Sequence, residues 1–273
     1  MESHNITIKN GITIHSLRAG SNDHPKLVLL HGYPSSAWLY RHVIPKLSGQ
    51  FNIFVPDLPG HGKSDKPLVS EYTLDFFHDF LMEYFAAYEI EDAHLAAHDL
   101  GAMAAIALAV RNPELINRLV IMNTGPYADW PWKMKLFLKI LSYDPLAPLF
   151  LTKQGFSYLF RQGLYDPTRI DDQTLEHYRC AWASDKNGAK VFSRIIRVPA
   201  DQMVMPVEAI RNIDRPTLIL WGKKDRFFPS GMAWRLSEDI PGAKLQFIQN
   251  AGHFLLEEAR EETAGAIKAF LLE

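Results

Sequence analysis

Cysteine occurs once in the 273 residues, at Cys180, so no disulfide can close within the chain. That fits a reducing compartment. No apolar run approaches the roughly 18–20 residues that a membrane span requires. The richest, Ala102 to Val110, stops at Arg111-Asn112-Pro113. The opening Met1-Glu2-Ser3-His4-Asn5 lacks the charged-then-apolar order of a secretory signal. Neither sign of charge dominates: 29 Lys plus Arg against 31 Asp plus Glu leave a formal net charge of −2. No broad positive field is available to draw in nucleic acid. Cys/His clusters at metal-ligand spacing and a glycine-rich phosphate loop are both missing. The expectation is a soluble, cytoplasmic protein with no metal, no cofactor, no nucleic-acid partner and no membrane partner.

What is present is ordinary globular material, 47% hydrophobic and 22% charged, in a length that suits one large domain or a core with an insertion. Short β-like runs alternate with helical ones, the pattern of a mostly parallel sheet covered by helices. Ile6-Thr7-Ile8 and Ile12-Thr13-Ile14-His15 flank the Asn10-Gly11 turn signal and predict a hairpin. Strand-length apolar runs follow at Lys26 to Leu30, Phe51 to Val55, Ala93 to Ala97 and Leu119 to Asn123. The signal returns at Thr217 to Trp221 and Lys244 to Ile248. Leu74 to Tyr88, Ala102 to Val110 and Glu257 to Leu272 read as helices. From Pro126 to Ile213 the rhythm breaks into an aromatic, proline-containing stretch with no parallel-strand series. This predicts a helical cap at 126–213 inserted into a core made of 1–125 and 214–273. No internal repeat and no low-complexity segment interrupts this order.

Leu95-Ala96-Ala97-His98-Asp99-Leu100-Gly101-Ala102 carries the chemistry. An apolar strand runs through small–x–Asp–x–Gly directly into an Ala-rich helix, the layout of a nucleophile elbow. Ala97 and Gly101 are small because strand and helix backbones approach closely there. The usual elbow carries serine, which needs a base before it can attack an acyl carbon. Asp99 is already ionised at neutral pH, since an unperturbed Asp has a pKa of about 3.9. It can displace a leaving group at a saturated carbon and become an alkyl ester. Hydrolysis of that ester calls for a neutral histidine. His253 follows a strand in Asn250-Ala251-Gly252-His253, and Asp225 follows another in Trp221-Gly222-Lys223-Lys224-Asp225, where it can orient the imidazole. The backbone N–H groups of Tyr33, in His31-Gly32-Tyr33-Pro34, and of Leu100 are the candidate oxyanion hole. His31 and His98 read as structural, and Asp57 to Pro67 as a shaped loop in which Ser64 and Asp65 bond locally. Asn123 stands where an acid would be needed for an alternative triad, and an amide cannot supply that anion.

These motifs, with Asp57-Leu58-Pro59-Gly60-His61-Gly62-Lys63-Ser64-Asp65-Lys66-Pro67 and Gly252-His253-Phe254, give the chain a resemblance spanning the whole core. It resembles the α/β-hydrolase fold superfamily, in its Asp-nucleophile group of haloalkane dehalogenases and epoxide hydrolases. The resemblance implies a mostly parallel sheet with an inserted cap, and a covalent alkyl-enzyme ester. In the dehalogenases a Trp usually follows the nucleophile and binds halide, whereas Leu100 has no side-chain donor. A second dehalogenase donor comes from an Asn in the His-Gly-x-Pro motif, where this chain has Tyr33, or from a cap Trp. Epoxide hydrolases use cap tyrosines on the opening oxygen, and this cap offers Tyr143, Tyr158, Tyr165 and Tyr178. Tyr165 and Tyr178 are the first choices, with Trp182 kept as a further substrate-contacting candidate. The expected substrate is a small to medium apolar epoxide, with a haloalkane as the alternative. A ligand receptor on a hydrolase fold, binding without turnover, is the reading from another class.

Overall fold

The computed structural model describes residues 1–69 and 71–273. Among these, eight strands form one sheet in the order β1-β2-β4-β3-β5-β6-β7-β8. β1 (Glu2–Thr7) and β2 (Thr13–Ala19) form the hairpin predicted around Asn10-Gly11, and β2 runs antiparallel to β4 (Asn52–Pro56). The remaining strands are parallel: β3 (Lys26–Leu30), β4, β5 (Ala93–His98), β6 (Ile116–Met122), β7 (Thr217–Gly222) and β8 (Lys244–Ile248). β3 to β7 are apolar along most of their length because helices cover both faces. Alternate residues divide accordingly: Val28, Leu30, Leu95 and Ala97 join one core cluster, while Leu27, Leu29 and Ala96 join the other.

Three helices of the first half cover the sheet: α1 (Ile44–Leu47), α2 (Leu74–Ala87) and α3 (Leu100–Arg111). α2 starts on the Thr73 hydroxyl, which accepts from the Phe76 amide. Between β6 and β7 the chain is helical, with α4 (Trp132–Leu141), α5 (Ala147–Phe150), α6 (Lys153–Gln162), α7 (Asp172–Ala183), α8 (Gly188–Ile195) and α9 (Val207–Ile210). We refer to these helices as the cap. The chain then returns to the sheet with α10 (Ser230–Asp239), α11 (Leu255–Glu258) and α12 (Arg260–Leu271). The sequence predicts one helix over Glu257 to Leu272; the structure breaks it at Ala259, at φ −131° and ψ 53°. The break lets Glu257 and Glu258 turn inward onto buried donors. No helix among the described residues is long and apolar enough to cross a membrane.

The loop from Asp57 to Pro67 is built around one carboxylate. Asp57 accepts from the Ala37 amide at 2.6 Å, the Lys63 amide at 2.9 Å and His15 Nδ1 at 2.7 Å. Burial opposes that charge, but the bond from His15 and the nearby His31 outweigh it and hold the pKa low. Ser64 bonds within the loop to the Asp57 carbonyl, as expected. Asp65 bonds within the loop through its carbonyl, which accepts from the Gly60 amide at 2.9 Å, and its side chain reaches across to the Thr13 amide at 2.7 Å and ties the loop to β2.

Candidate active site

Asp99 sits where β5 ends and α3 begins, with φ 53° and ψ −118°. A non-glycine residue with positive φ is strained, at a cost on the order of 1–3 kcal/mol. Close approach is what permits the geometry. A Cβ on Gly101 would lie 2.4 Å from the His31 carbonyl oxygen, and one on Gly32 would lie 2.4 Å from the Asp99 Cβ. The Asp99 carbonyl accepts from the Thr124 hydroxyl at 2.8 Å, and its amide donates to the Met122 carbonyl at 3.1 Å.

The two carboxylate oxygens of Asp99 have different neighbours. Oδ1 accepts from the Tyr33 amide at 2.8 Å. Oδ2 lies 3.5 Å from His253 Nε2. Burial disfavours the anion, yet His253, His98 and the Leu100 amide outweigh it and hold the Asp99 pKa below the usual carboxylate range.

His253 Nδ1 lies 3.0 Å from Asp225 Oδ2. Asp225 is fixed in turn: Oδ1 accepts from the amides of Phe227 and Phe228 at 2.7 and 3.0 Å, and Oδ2 accepts from Asn123 Nδ2 at 2.6 Å. Burial lowers the His253 pKa, but Asp225 first and Asp99 second raise it, to about 10. With both carboxylates charged, the site therefore favours the imidazolium. The sequence expects a neutral histidine here; the two facing carboxylates oppose that form.

In the sequence Asn123 reads only as a missing acid. The structure makes it a bridge, because its Oδ1 also accepts from the Gly222 amide at 2.9 Å. Its φ of 38° at the end of β6 turns the side chain toward Asp225. His98 is buried, as expected, and its Nε2 donates to the His253 carbonyl at 2.9 Å. Burial, with His253 beside it, pulls the His98 pKa down to about 4. His31 Nε2 accepts from the Leu58 amide at 3.0 Å, a structural role.

A cavity opens over Asp99 and His253, walled by Met103, Met134, Phe137, Leu159, Phe227 and further apolar side chains. The three cap candidates do not line it. Tyr178 donates its hydroxyl to Glu257 Oε1 at 2.6 Å and is fully buried. Trp182 donates its indole N–H to the Pro34 carbonyl at 3.1 Å. Tyr165 is 40% exposed at the surface, beside Lys224. Among the described residues, the one phenol on the wall is Tyr33, from the core, and its buried hydroxyl has no hydrogen-bond partner. Trp130 is also on the wall, but its N–H is taken by the Gly125 carbonyl at 3.0 Å.

A parallel sheet with an elbow after β5, an acid after β7 and a histidine after β8 is the arrangement of a hydrolase. The family model described as alpha/beta hydrolase fold matches residues 25–259, and the chain belongs to that family. It is an enzyme of this fold, a hydrolase. Among curated relatives, it is 29% identical to the cis-3-alkyl-4-alkyloxetan-2-one decarboxylase of Shewanella oneidensis, over 97% of this chain and 87% of that protein. It is 28% identical to haloalkane dehalogenase 2 of Mycobacterium bovis, over 93% of this chain and 90% of that one. Among solved structures, Cfl2 from Burkholderia cenocepacia superposes with a TM-score of 0.84 at 24% identity, covering 98% of this chain and 95% of that one. This last match concerns the fold alone.

Proposed function

We propose that the enzyme hydrolyses small to medium apolar epoxides through an alkyl ester on Asp99. The observation that carries this reading is the division of labour between the two oxygens of the cavity-lining Asp99, Oδ1 on the Tyr33 amide and Oδ2 facing His253. Oδ2 attacks a ring carbon, the carbon–oxygen bond breaks, and its electron pair goes to the ring oxygen. Tyr33 is the donor we assign to that oxygen, and the proton is made good from the His253 imidazolium or, in a variant lacking it, from water. Once Asp99 is an ester, its charge is gone, the His253 pKa falls, and a neutral imidazole is left. His253 then takes a proton from water, and the hydroxide attacks the Asp99 carboxyl carbon. The charge that develops on Oδ1 meets the Tyr33 and Leu100 amides, one such donor being typically worth about 2.7–4 kcal/mol. Collapse releases the diol, which takes its proton from His253. Asp99 leaves the step as an acid and returns its proton to His253, restoring the starting charges.

Epoxide is favoured over halide because the indole N–H groups of Trp130 and Trp182 are already bonded to carbonyls. Leu100 offers none. The oxetanone relative, whose name describes an alkyl-substituted strained oxygen ring, supports the same substrate character. The dehalogenase relative keeps the haloalkane as the second reading.

Intact mass of a His253→Gln variant after exposure to mixed epoxides and haloalkanes is the test. An adduct equal to a whole epoxide, absent in an Asp99→Asn/His253→Gln variant, is expected. An adduct equal to an alkyl group, with free halide, would establish the second reading. No adduct from either class would overturn the alkyl-ester mechanism.

A further inference from the structure

The helix that roofs the cavity has a second apolar face. In α4, Met134, Phe137, Leu138 and Leu141 line the cavity. Trp132, Leu136 and Ile140, spaced four apart, share the opposite side within an arc of roughly 80° at about 100° per residue. They are 70%, 50% and 44% exposed, and Tyr143 and Leu149 just beyond are each 60% exposed. An apolar row of this length on a surface marks an interaction site. Lys133, Lys135 and Lys139 are exposed on its flanks, and α4 contains no acid. The nearest acids in sequence, Asp129 and Asp144, pair with Arg235 and Arg197. Asp201 shares one rim with Lys135, Lys139 and Arg197.

We propose that α4 and the turn after it dock on an anionic lipid surface. The apolar row would enter the acyl boundary while the lysines meet the phosphates. Charge complementarity chooses this occupant. A chain whose net charge is −2 gathers three lysines around this apolar row, with Asp201 the one acid on their shared rim. A second copy fits worse, because a two-fold pairing of this face sets lysines against lysines. Docking itself does not depend on the reaction at Asp99. Its use does rest on the apolar-substrate reading: the same helix walls the cavity, so a lipid-dissolved substrate has a short path inward.

Flotation of the full chain with vesicles tests the idea, comparing phosphatidylcholine alone with phosphatidylcholine containing phosphatidylglycerol. Partition onto the anionic vesicles should be at least about tenfold higher and should weaken with salt. Leu136→Glu/Ile140→Glu and Lys133→Glu/Lys135→Glu/Lys139→Glu should each lower it about tenfold. Because all five positions are exposed, Tm and ester trapping at Asp99 should stay unchanged, which separates lost docking from lost folding or chemistry. Equal partition of the wild type and Leu136→Glu/Ile140→Glu would overturn the proposal. So would absence of vesicle binding together with a concentration-dependent dimer that the same variant abolishes.

Discussion

His253 keeps its proton because two carboxylates face it from opposite ring nitrogens, Asp225 at 3.0 Å and Asp99 at 3.5 Å. Each should be separable by titration. In NMR of the imidazole, Asp225→Asn should lower the pKa from about 10 by more than Asp99→Asn does, since Asp225 is the larger influence. Equal effects, or a rise in either variant, would show that the ring is not charged by this pair. Tyr33 makes a second prediction at this scale. Tyr33→Phe keeps the backbone amide on Asp99 and removes only the unpartnered hydroxyl. Ester formation from epoxides should slow by about 10²–10³, while hydrolysis of an ester already formed should not change. Single-turnover mass spectrometry separates the two steps. The positions of Asp99, Asp225 and His253 were legible in sequence because each lies just past a strand end, where the chain must turn. Asn123 and Glu257 were not, because their partners lie 102 and 216 positions away and no local pattern points to them; Tyr33 was legible for its backbone amide but not for its hydroxyl.

At the scale of elements, α11 joins the cap to the core through one buried carboxylate. Glu257 receives both guanidinium nitrogens of Arg41, at 2.5 and 2.7 Å, and the Tyr178 hydroxyl from α7. Its neighbour Glu258 accepts from the amides of Gly252 and Asp166 at 2.7 and 2.9 Å, which ties the His253 loop to the segment after the cap helix α6. Here the sequence and structure part. A helical pattern over Glu257 to Leu272 places glutamates at a first turn, where the helix dipole alone would account for them. Only the distant cations and amides explain why both are buried and the helix breaks. Glu257→Ala would strand the Arg41 charge and the Tyr178 hydroxyl inside, costing about 3–5 kcal/mol. Tyr178→Phe leaves the ion pair intact and should cost only about 0.5–1.5 kcal/mol. Urea unfolding of the two single variants and the double variant is the check; a double variant equal to Glu257→Ala alone is expected if one network is being measured. The strands were far easier to read than this junction, because burial on both faces makes β3 to β7 apolar along most of their length, which composition reveals directly.

The molecule as a whole buries histidines of opposite character, and this shapes its stability against pH. His31, His61 and His98 are fully buried, and desolvation lowers the pKa of each, to about 4 for His98. Between that value and the unfolded value of about 6.5, the unfolded chain binds protons that the folded chain refuses, so stability falls as pH falls. For His98 alone, a change from 6.5 to about 4 corresponds to about 3 kcal/mol at full effect. Asp57 and Asp99, with lowered carboxylate pKa values, extend the loss at still lower pH. His253 works in the other direction. Its folded pKa of about 10 contributes stability that is complete below about 6.5 and disappears as pH rises toward that value. The two groups together predict maximum stability at about pH 6.5, declining on both sides. Chemical denaturation from pH 4.5 to 10 should trace this dome; His98→Gln should flatten the acid limb, and His253→Gln the alkaline limb. The slope is the readout, because either substitution also changes the height. A wild-type curve that climbs steadily from pH 6.5 to 9 would mean that Asp99 and Asp225 do not hold a proton on His253, and the charge cycle proposed for the reaction would lose its starting state.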